Sequence, residues 1–460
     1  MNQILAELLS CENQIDTFFV NQRINSLLKQ SNIAKKYGYS PVVVMRFIFS
    51  LVFTGKNLFR TLNAGETAEL GKDTVYRFLN SVNANWRRFL HLLSGAIIRE
   101  QLTPLTSEKT VKVFIADDSY YDRNRSKNVE LLARVHDHNE NRYYRGFRLL
   151  TLGWSDGISQ IPVSFALLSS AKKDNRLVPM REGIDKRSNG FKRRAESTLK
   201  SPEALARLVR GALKNDIKAN YILFDSWFSF PSTIMTMLAS GVHVICMLKA
   251  LKTIHYGYEG YTLHLAQLFK MVRKRAGRSK VLASVLVEIG KDEKGNPVQA
   301  KIVFVRDRSS KKWLALLSTD VTMADYEIIK LYKRRWDIEV FFKMAKSFLN
   351  LAKEFQSRSY DTLVAHTTIV FCRYIMLALA RRMNKDPRTL GTLFHAGCDE
   401  LRQATFAEAL QQMLAMLQNI VSDFLGLTDA QVEGLLQKFI AEVAPIFKKL
   451  LFPVPKLATT

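Results

Sequence analysis

The chain has 460 residues, of which 47% are hydrophobic and 24% are charged, and this balance excludes an intrinsically disordered protein. It carries 68 Lys and Arg residues against 42 Asp and Glu residues, a net charge of +26. Such a surplus favours a polyanionic partner such as DNA, because neutralising phosphates releases their condensed counterions. The four cysteines are scattered without a CxxC pair, which excludes a common zinc module and suits a reducing cytoplasm.

Two apolar stretches have the hydrophobicity of membrane spans, but neither predicts one. Val42–Gly55 is too short to cross a bilayer, and Val364–Ala380 carries His366 and Arg373. Both are expected to be buried helices of a soluble fold. The N-terminal residues have no basic region typical of a signal peptide, so the sequence predicts a cytoplasmic, nucleoid-associated protein with no membrane partner.

The first hundred residues are predicted to be helical. Ile4–Val20 and Pro41–Phe53 have an apolar helical periodicity. A short helix that begins near Asp73 and exposes Arg77 resembles the second helix of a helix-turn-helix unit, which makes Arg77 a candidate DNA contact. The alternative, a plain helix of a bundle, stays open at this point.

The pattern then changes to strands and helices in alternation. Three predicted strands are followed by helix, strand, helix and strand, which indicates an α/β fold whose mixed sheet has an antiparallel start. The first strand ends in Asp117-Asp118 and the fourth ends in Asp225. The predicted strands are Val111–Ala116, Gly146–Trp154, Ile161–Leu168, Tyr221–Phe224 and Val242–Lys249.

Residues 249–326 are predicted to be rich in strands, and the chain beyond them is predicted to be helical. Val281–Ile289 and Gln299–Val305 form a predicted hairpin, and Trp313–Leu317 adds a strand. The basic segments Lys172–Lys200 and Lys270–Lys280 are candidate tracks for phosphates, although a run of charge is also typical of a solvated face.

The stretch Leu331–Phe348 is predicted to be one helix that carries a narrow polar stripe. Tyr332, Arg335, Glu339 and Lys346 are spaced so that they lie within an arc of roughly 60° on one face. Apolar residues border the stripe on both sides, which indicates a partly buried site with one carboxylate among cations. The alternative is that Arg335–Glu339 and Glu339–Lys343 are ordinary ion pairs, each worth ~0.3–0.5 kcal/mol.

Three acidic positions are candidate metal ligands: Asp117 or Asp118, Asp225, and Glu339. The strand ends of an open α/β sheet are where sites form. Convergent carboxylates offer the hard oxygen ligands that Mg²⁺ prefers, and two such ions support in-line phosphoryl transfer. Each aspartate taken singly is also typical of a loop turn or a helix N-cap.

These residues resemble the Y-x2-R-x3-E-x6-K signature of bacterial insertion-sequence transposases of the DDE type, which have a ribonuclease H-like catalytic domain. The signature matches Tyr332, Arg335, Glu339 and Lys346. Ile115–Ser119 resembles the family's first-aspartate block, and Phe224–Phe228 resembles its second. The ordered blocks cover roughly residues 110–350, and they do not decide between Asp117 and Asp118.

The resemblance implies an α/β fold in which a ribonuclease H-like core with a β-rich insertion is flanked by helical domains. We expect a helical DNA-binding domain at residues 1–105 and a catalytic domain at 106–355, with the insertion at about 250–320. A C-terminal helical domain at residues 356–460 is the candidate dimerisation contact.

The resemblance also implies a cut-and-paste transposase that binds the terminal inverted repeats of its element and acts through hairpin ends. It implies two Mg²⁺ ions, replaceable by Mn²⁺, on the acidic triad, and a homodimer on paired DNA ends that also engages target DNA. In the family an aromatic residue of the insertion stacks on a flipped base, and Trp313 occupies a similar place, although it also fits a core position of its strand. The DNA contacts implied or proposed from the residues are Tyr332, Arg335, Lys346, Lys343, Trp313 and Arg77.

Two other functions remain open from the sequence. Another ribonuclease H-like nuclease would need the acids but not Tyr332, Arg335 and Lys346 in register. A catalytically decayed or regulatory DNA-binding protein would be favoured by the loss of one acid, yet all three blocks are present.

Overall fold

The computed structural model describes residues 13–63, 70–137, 141–277, 279–292, 294–307, 312–355 and 357–402, with single positions between 404 and 438. The start of the first predicted helix, and the part of the predicted C-terminal bundle beyond 402 apart from those single positions, lie outside the described residues. Residues 64–69 also lie outside them.

The N-terminal region is helical, as predicted. Its helices bury apolar residues on one face, and their first turns are capped where the sequence offers Asn: the Asn13 and Asn85 side chains accept hydrogen bonds from Asp16 and Arg88 amides. The helix predicted near Asp73 begins one residue earlier. The helices are α1 Gln14–Asn21, α2 Ile24–Gln30, α3 Pro41–Ser50, α4 Leu58–Asn63, α5 Lys72–Leu79 and α6 Trp86–Ala96.

A mixed sheet follows, and the predicted α/β fold with an antiparallel start is confirmed. The core strands lie in the order β4-β3-β1-β5-β6, with β5 and β6 parallel to β1 and with β3 antiparallel to β1 and β4. A further strand, β2, pairs with the first part of β3. The bounds are β1 Val113–Asp122, β2 Ala133–Asp137, β3 Arg142–Ser155, β4 Gln160–Leu168, α7 Asn189–Ser197, α8 Ser201–Lys214, β5 Tyr221–Phe224, α9 Pro231–Ala239 and β6 His243–Leu248.

The predicted β-rich insertion extends this same sheet. Its last strand, β11, is antiparallel to β6, and β10, β9, β7 and β8 follow outward. The predicted hairpin around Asp292 is confirmed as β9 and β10. The elements are β7 His255–Tyr258, β8 Tyr261–His264, α10 Leu265–Met271, β9 Val281–Lys291, β10 Pro297–Arg306 and β11 Trp313–Ser318.

The single helix predicted over Leu331–Phe348 is wrong, because the structure has two helices, α11 Asp325–Lys333 and α12 Trp336–Ser347. Between them the amides of Arg334 and Arg335 bond to carbonyls three residues back, in a tightened turn. The Arg334 guanidinium donates to the Val111 carbonyl at 2.7 Å and crosses Gly157, where a Cβ would lie 2.8 Å from Arg334 Cζ. These contacts, with the residue two before β1 and with the turn between β3 and β4, accompany the break.

A long helix, α13 (Tyr360–Met383), lies at the centre of the molecule. In length and composition it is the one helix among the described residues that matches a membrane span, but its apolar window is 94% buried inside the protein. It packs against β4, α3, α5, α6 and α12, so the described parts of the three predicted domains share one hydrophobic core. The domain boundaries themselves stay predictions.

Candidate active site

The first two acidic blocks lie at the same edge of the sheet. In the parallel pairing of β1 and β5, Ile115 is opposite Leu223. Asp117 and Asp225 each follow two residues later, so continuing this register places them level and on the same face. Asp118 is directed to the opposite face of β1. Strand pairing thus brings together two acids that are more than a hundred residues apart.

Arg335 connects the strand acids to the helix acid. Its Nη1 lies 3.1 Å from Asp117 Oδ2, and its Nη2 lies 2.5 Å from Glu339 Oε1. The predicted Arg335–Glu339 pair is therefore present, but it is one half of a bridge between β1 and α12. The other predicted pair, Glu339–Lys343, is not among the ion pairs of the described residues.

Asp118 faces a second arginine, which the sequence did not reveal. Arg148 Nη1 lies 3.2 Å from Asp118 Oδ2, an oxygen that has no well-formed hydrogen bond within the described part of the chain. The Arg148 guanidinium also lies over the Trp227 ring, 5.2 Å from its centroid, and the Trp227 amide donates to Asp225 Oδ1 at 2.9 Å. Arg148 lies in the middle of β3, and no sequence motif marks it as a site residue. Trp227, in contrast, lies only two residues after Asp225, and this spacing could have identified it from the sequence.

The carboxylates at this edge are crowded and short of positive charge. Burial, followed by the charge of Asp225, raises the pKa of Asp117 to about 7, although Arg335 acts in the opposite direction. Burial also raises the pKa of Asp118, with Asp225 adding to the effect and Arg148 opposing it. The ionised acids are therefore unfavourable here unless further positive charge arrives.

Tyr332 approaches the same edge from α11. It is half-buried, and its hydroxyl has no hydrogen bond of normal geometry to any described residue. Burial raises the pKa of Tyr332, and the charges of Cys246 and Asp225 contribute in the same direction, while Arg335 lowers it. The phenol is thus a protonated donor without an acceptor among the described side chains.

The remaining residues of the predicted stripe lie further along α12. Lys346 is half-buried about two turns beyond Glu339, and Lys343 is exposed. Of the two apolar borders predicted for the stripe, only one is buried: Trp336 is 62% exposed and Val340 46% exposed. The site is therefore open to solvent along one side of α12.

Trp313 begins β11 and lies at the same end of the sheet as the acids, since Ala315 pairs with Leu248 at the end of β6. It is half-buried, stacked on Phe269 at 4.7 Å and edge-on to Phe304 at 5.2 Å. This position leaves both interpretations of Trp313 standing, because the ring belongs to a cluster but is not enclosed by it.

Arg77 is exposed on α5, which packs against α13 and α3. No contact connects it to these carboxylates within the described part of the chain. Its predicted contact with DNA would therefore be made by the helical region and not by the sheet edge.

Part of the predicted basic track Lys172–Lys200 is structural. Arg194 is fully buried and bonds Glu130 at 2.6 Å and Asp361 at 2.7 Å, while Arg193 Nε lies 2.7 Å from Asp361. These two arginines are in α7 and cannot hold phosphates, because their guanidinium groups are already bound inside the protein. The exposed lysines of the segment remain candidates.

The acids fit a divalent cation by their chemistry, since carboxylate oxygens are hard ligands and the buried Asp118 Oδ2, 3.2 Å from Arg148, has no hydrogen bond of normal geometry to the described residues. As arranged, no three Asp, Glu, His or Cys side chains of the described residues are grouped closely enough to hold one ion. Arg335 supplies the positive charge between Asp117 and Glu339 in this arrangement.

Two known protein families match the chain. The family described as DDE superfamily endonuclease matches residues 54–280, which include Asp117, Asp118 and Asp225. The family described as transposase DDE domain matches residues 198–376, which include Asp225 and Glu339. No curated protein matches the chain. The two matches together include Asp117, Asp118, Asp225 and Glu339, the carboxylates at this edge of the sheet, which is called the acidic edge below. The chain belongs to the DDE transposases, nuclease-type enzymes that act on DNA.

Proposed function

We propose that this transposase binds the terminal inverted repeats of its own element and cuts and joins DNA at the acidic edge. The carrying observation is that burial, with the nearby charge of Asp225 adding to it, raises the pKa of both Asp117 and Asp118 at this edge of the sheet. Carboxylates in this condition gain stability when a cation binds. Asp225, Glu339 and one of the two adjacent aspartates would be the metal ligands.

The family generally depends on a divalent metal, and the oxygen donors here suit two Mg²⁺ ions, with Mn²⁺ as a substitute. Bound Mg²⁺ would polarise the attacking water or 3′-hydroxyl and stabilise the leaving oxygen. Glu339 is now held by Arg335, so it must exchange that partner to become a ligand.

The residues of α11 and α12 would hold the phosphates of the transposon end. Arg335 has a planar fork that binds a phosphate bidentately once it leaves the carboxylates. The Tyr332 hydroxyl is a donor in need of an acceptor, and Lys346 and Lys343 are point charges along the same helix. These contacts would orient the reacting phosphodiester against the acids.

The proposed reaction begins with hydrolysis that frees a 3′ end. The 3′-hydroxyl then attacks the opposite strand to close a hairpin, or attacks target DNA to complete insertion. In this scheme Trp313 stacks on the base flipped out at the hairpin, Arg77 contacts the terminal repeat, and a homodimer holds the two ends together.

The test is a cleavage assay on duplex DNA that carries the element's own ends, in Mg²⁺ and in EDTA. Asp225→Asn and Glu339→Gln should each bind this DNA normally but cleave it more than about 10³-fold more slowly, since a metal centre contributes several kcal/mol to such a reaction. Glu203→Gln, an exposed acid on α8, is the matched control and should cleave normally.

Strand cutting that survives in Glu339→Gln would contradict the triad. Tight, end-specific binding by the wild-type protein without metal-dependent cleavage would favour the regulatory DNA-binding alternative.

A further inference from the structure

A second charged feature lies beyond the acids, in a cleft of about 940 Å³ between two loops. One wall is formed by residues 122–129, which begin at the last residue of β1, and the other by residues 352, 353, 355, 357 and 358, which follow α12. The described residues that line it are Asp122, Arg123, Asn124, Arg125, Ser126, Lys127, Asn128, Val129, Ala352, Lys353, Phe355, Ser357 and Arg358.

The cleft is strongly basic. Five of its lining residues are Lys or Arg and only Asp122 is acidic. The Asp122 carboxylate is occupied locally, since it accepts the Asn124 amide at 2.7 Å. Arg125, Lys127 and Arg358 are exposed, and none of the three has an ion pair or side-chain hydrogen bond with the described residues. Three cations are thus presented to solvent without internal partners.

The walls of the cleft are held in place by other residues. The Arg123 guanidinium donates to the Ala352 carbonyl and, at 3.4 Å, to the Phe355 carbonyl, which ties one loop to the other. Asn124 accepts the Arg145 amide at 2.8 Å, which fixes the start of its loop on β3. Arg125, Lys127 and Arg358 therefore lie on loops that hydrogen bonds hold in place.

The cleft continues the acidic edge. Asp122 stands four residues beyond Asp118 on β1, a distance of ~13 Å at the rise of a strand. On the other side, Lys353 Nζ donates to the carbonyl of Lys346 at 3.3 Å, so the cleft begins where α12 ends. Since a duplex rises 3.4 Å per base pair, ~13 Å corresponds to about four base pairs.

We propose that this cleft binds the backbone phosphates of duplex DNA about four base pairs from the reacting phosphodiester. The inference rests on the proposed function, because it takes the acidic edge as the place of cleavage. Phosphates of the element's end and phosphates of target DNA have the same chemistry, and either duplex could extend from the acids into the cleft. Arg125, Lys127 and Arg358 make the contacts, and Arg123 and Lys353 position the walls.

The test compares two triple variants of the full chain. The cleft variant carries Arg125→Ala, Lys127→Ala and Arg358→Ala. The control carries Lys109→Ala, Lys214→Ala and Lys291→Ala, which removes the same charge from exposed positions outside the cleft and outside the predicted DNA-binding domain. Equal thermal unfolding of the two variants and the wild type establishes that both fold.

The first measurement is the salt dependence of binding to a duplex of the element's end, in EDTA so that no cleavage occurs. Loss of three phosphate contacts lowers the magnitude of the slope of log K against log salt concentration by about 2–3. The second measurement is strand transfer of pre-cleaved ends into a supercoiled plasmid, in Mg²⁺.

A smaller salt slope in the cleft variant alone assigns the cleft to the element's end. A normal slope with at least tenfold weaker strand transfer, relieved by raising the plasmid concentration, assigns it to target DNA. If the cleft variant matches the control in both measurements, the proposal is overturned. Because the slope is measured without cleavage, this result is independent of whether Asp225→Asn abolishes activity.

Discussion

Two regions of this molecule concentrate charge, and they treat it in opposite ways. Two fully buried arginines, Arg373 on the central helix α13 and Arg194 on α7, have partners for their guanidinium nitrogens. Arg194 bonds Glu130 and Asp361, and Arg373 bonds both oxygens of Glu354 and the carbonyls of Ile48 and Phe49. At the edge of the sheet, by contrast, three aspartates share two arginines.

The pKa directions express the difference. Burial alone would raise the pKa of Glu354, but Arg373 and His366 bring it below its usual value. Burial would also raise the pKa of Glu130, and hydrogen bonds from Arg194 and from backbone amides reverse this. Burial does raise the pKa of Asp117 and Asp118, because their arginines compensate too little. The buried acids around α13 are thus compensated by arginines of the protein. The aspartates of the candidate site are compensated only in part.

The largest expected effect on stability comes from breaking the buried ion pair between Arg373 and Glu354. Arg373→Met should lower the free energy of unfolding by about 3–5 kcal/mol, because it leaves the buried Glu354 carboxylate without its main partner. Denaturant unfolding measures this. Arg388→Met is the control, since it removes an exposed pair with Asp386 that solvent screens, and it should leave stability nearly unchanged. Equal effects of the two variants would break the comparison.

Substitution of Trp313 tests whether this residue of the insertion serves DNA binding or the stability of the fold. If its ring stacks on a flipped base, Trp313→Ala should weaken hairpin formation by about 1–3 kcal/mol and spare the first nick. Gel analysis of the two products separates the steps. Trp313→Phe keeps a ring beside Phe269 and Phe304 and should restore most of the hairpin. Equal loss of both steps, with lower stability, would make Trp313 a core residue.

The crowded acids should themselves oppose folding. Since the folded-state pKa of Asp117 is about 7, above its usual 3.8, its ionised form destabilises the metal-free protein increasingly as the pH rises from 3.8 to 7. Asp117→Asn should therefore raise the free energy of unfolding at pH 8 in EDTA, by about 1–2 kcal/mol.

The same variant and Asp118→Asn, assayed for cleavage, should identify the ligand, because only loss of the true ligand abolishes the reaction. A destabilised Asp117→Asn would show that its pair with Arg335 outweighs the crowding.

The most gradual effect is a loss of stability in acid. Burial, with the charge of Arg87, lowers the pKa of His91 to about 3, and burial lowers the pKa of His366 despite Glu354. Both stay neutral in the fold, so the stability present above pH 6.5 is lost as the pH falls below it, by at most about 1.4 kcal/mol per pH unit for each histidine. Unfolding measured from pH 7.5 to 5 checks this, and His91→Gln should reduce the slope.

Much of the fold was predictable because its signals are local. Windows of ten to twenty residues are enough to recognise the strand periodicity, the Asp292 turn and the apolar helices. The α/β order followed from these local patterns. The break at Arg334 was not predictable, because the Val111 carbonyl that receives its guanidinium is more than two hundred residues away. The burial of Arg194 was missed for the same reason, since its partners lie in other parts of the chain.

The sequence by itself determined the chemical inventory: a basic chain, acids at two strand ends, and Tyr332, Arg335, Glu339 and Lys346 in a fixed spacing. Only the tertiary structure decided how that inventory is used. The parallel register of β1 and β5 places Asp117 beside Asp225. The turn before α12 lets Arg335 reach both Asp117 on β1 and Glu339. Burial and charge crowding depend on distances between segments remote in sequence, and those distances exist only once the chain has folded.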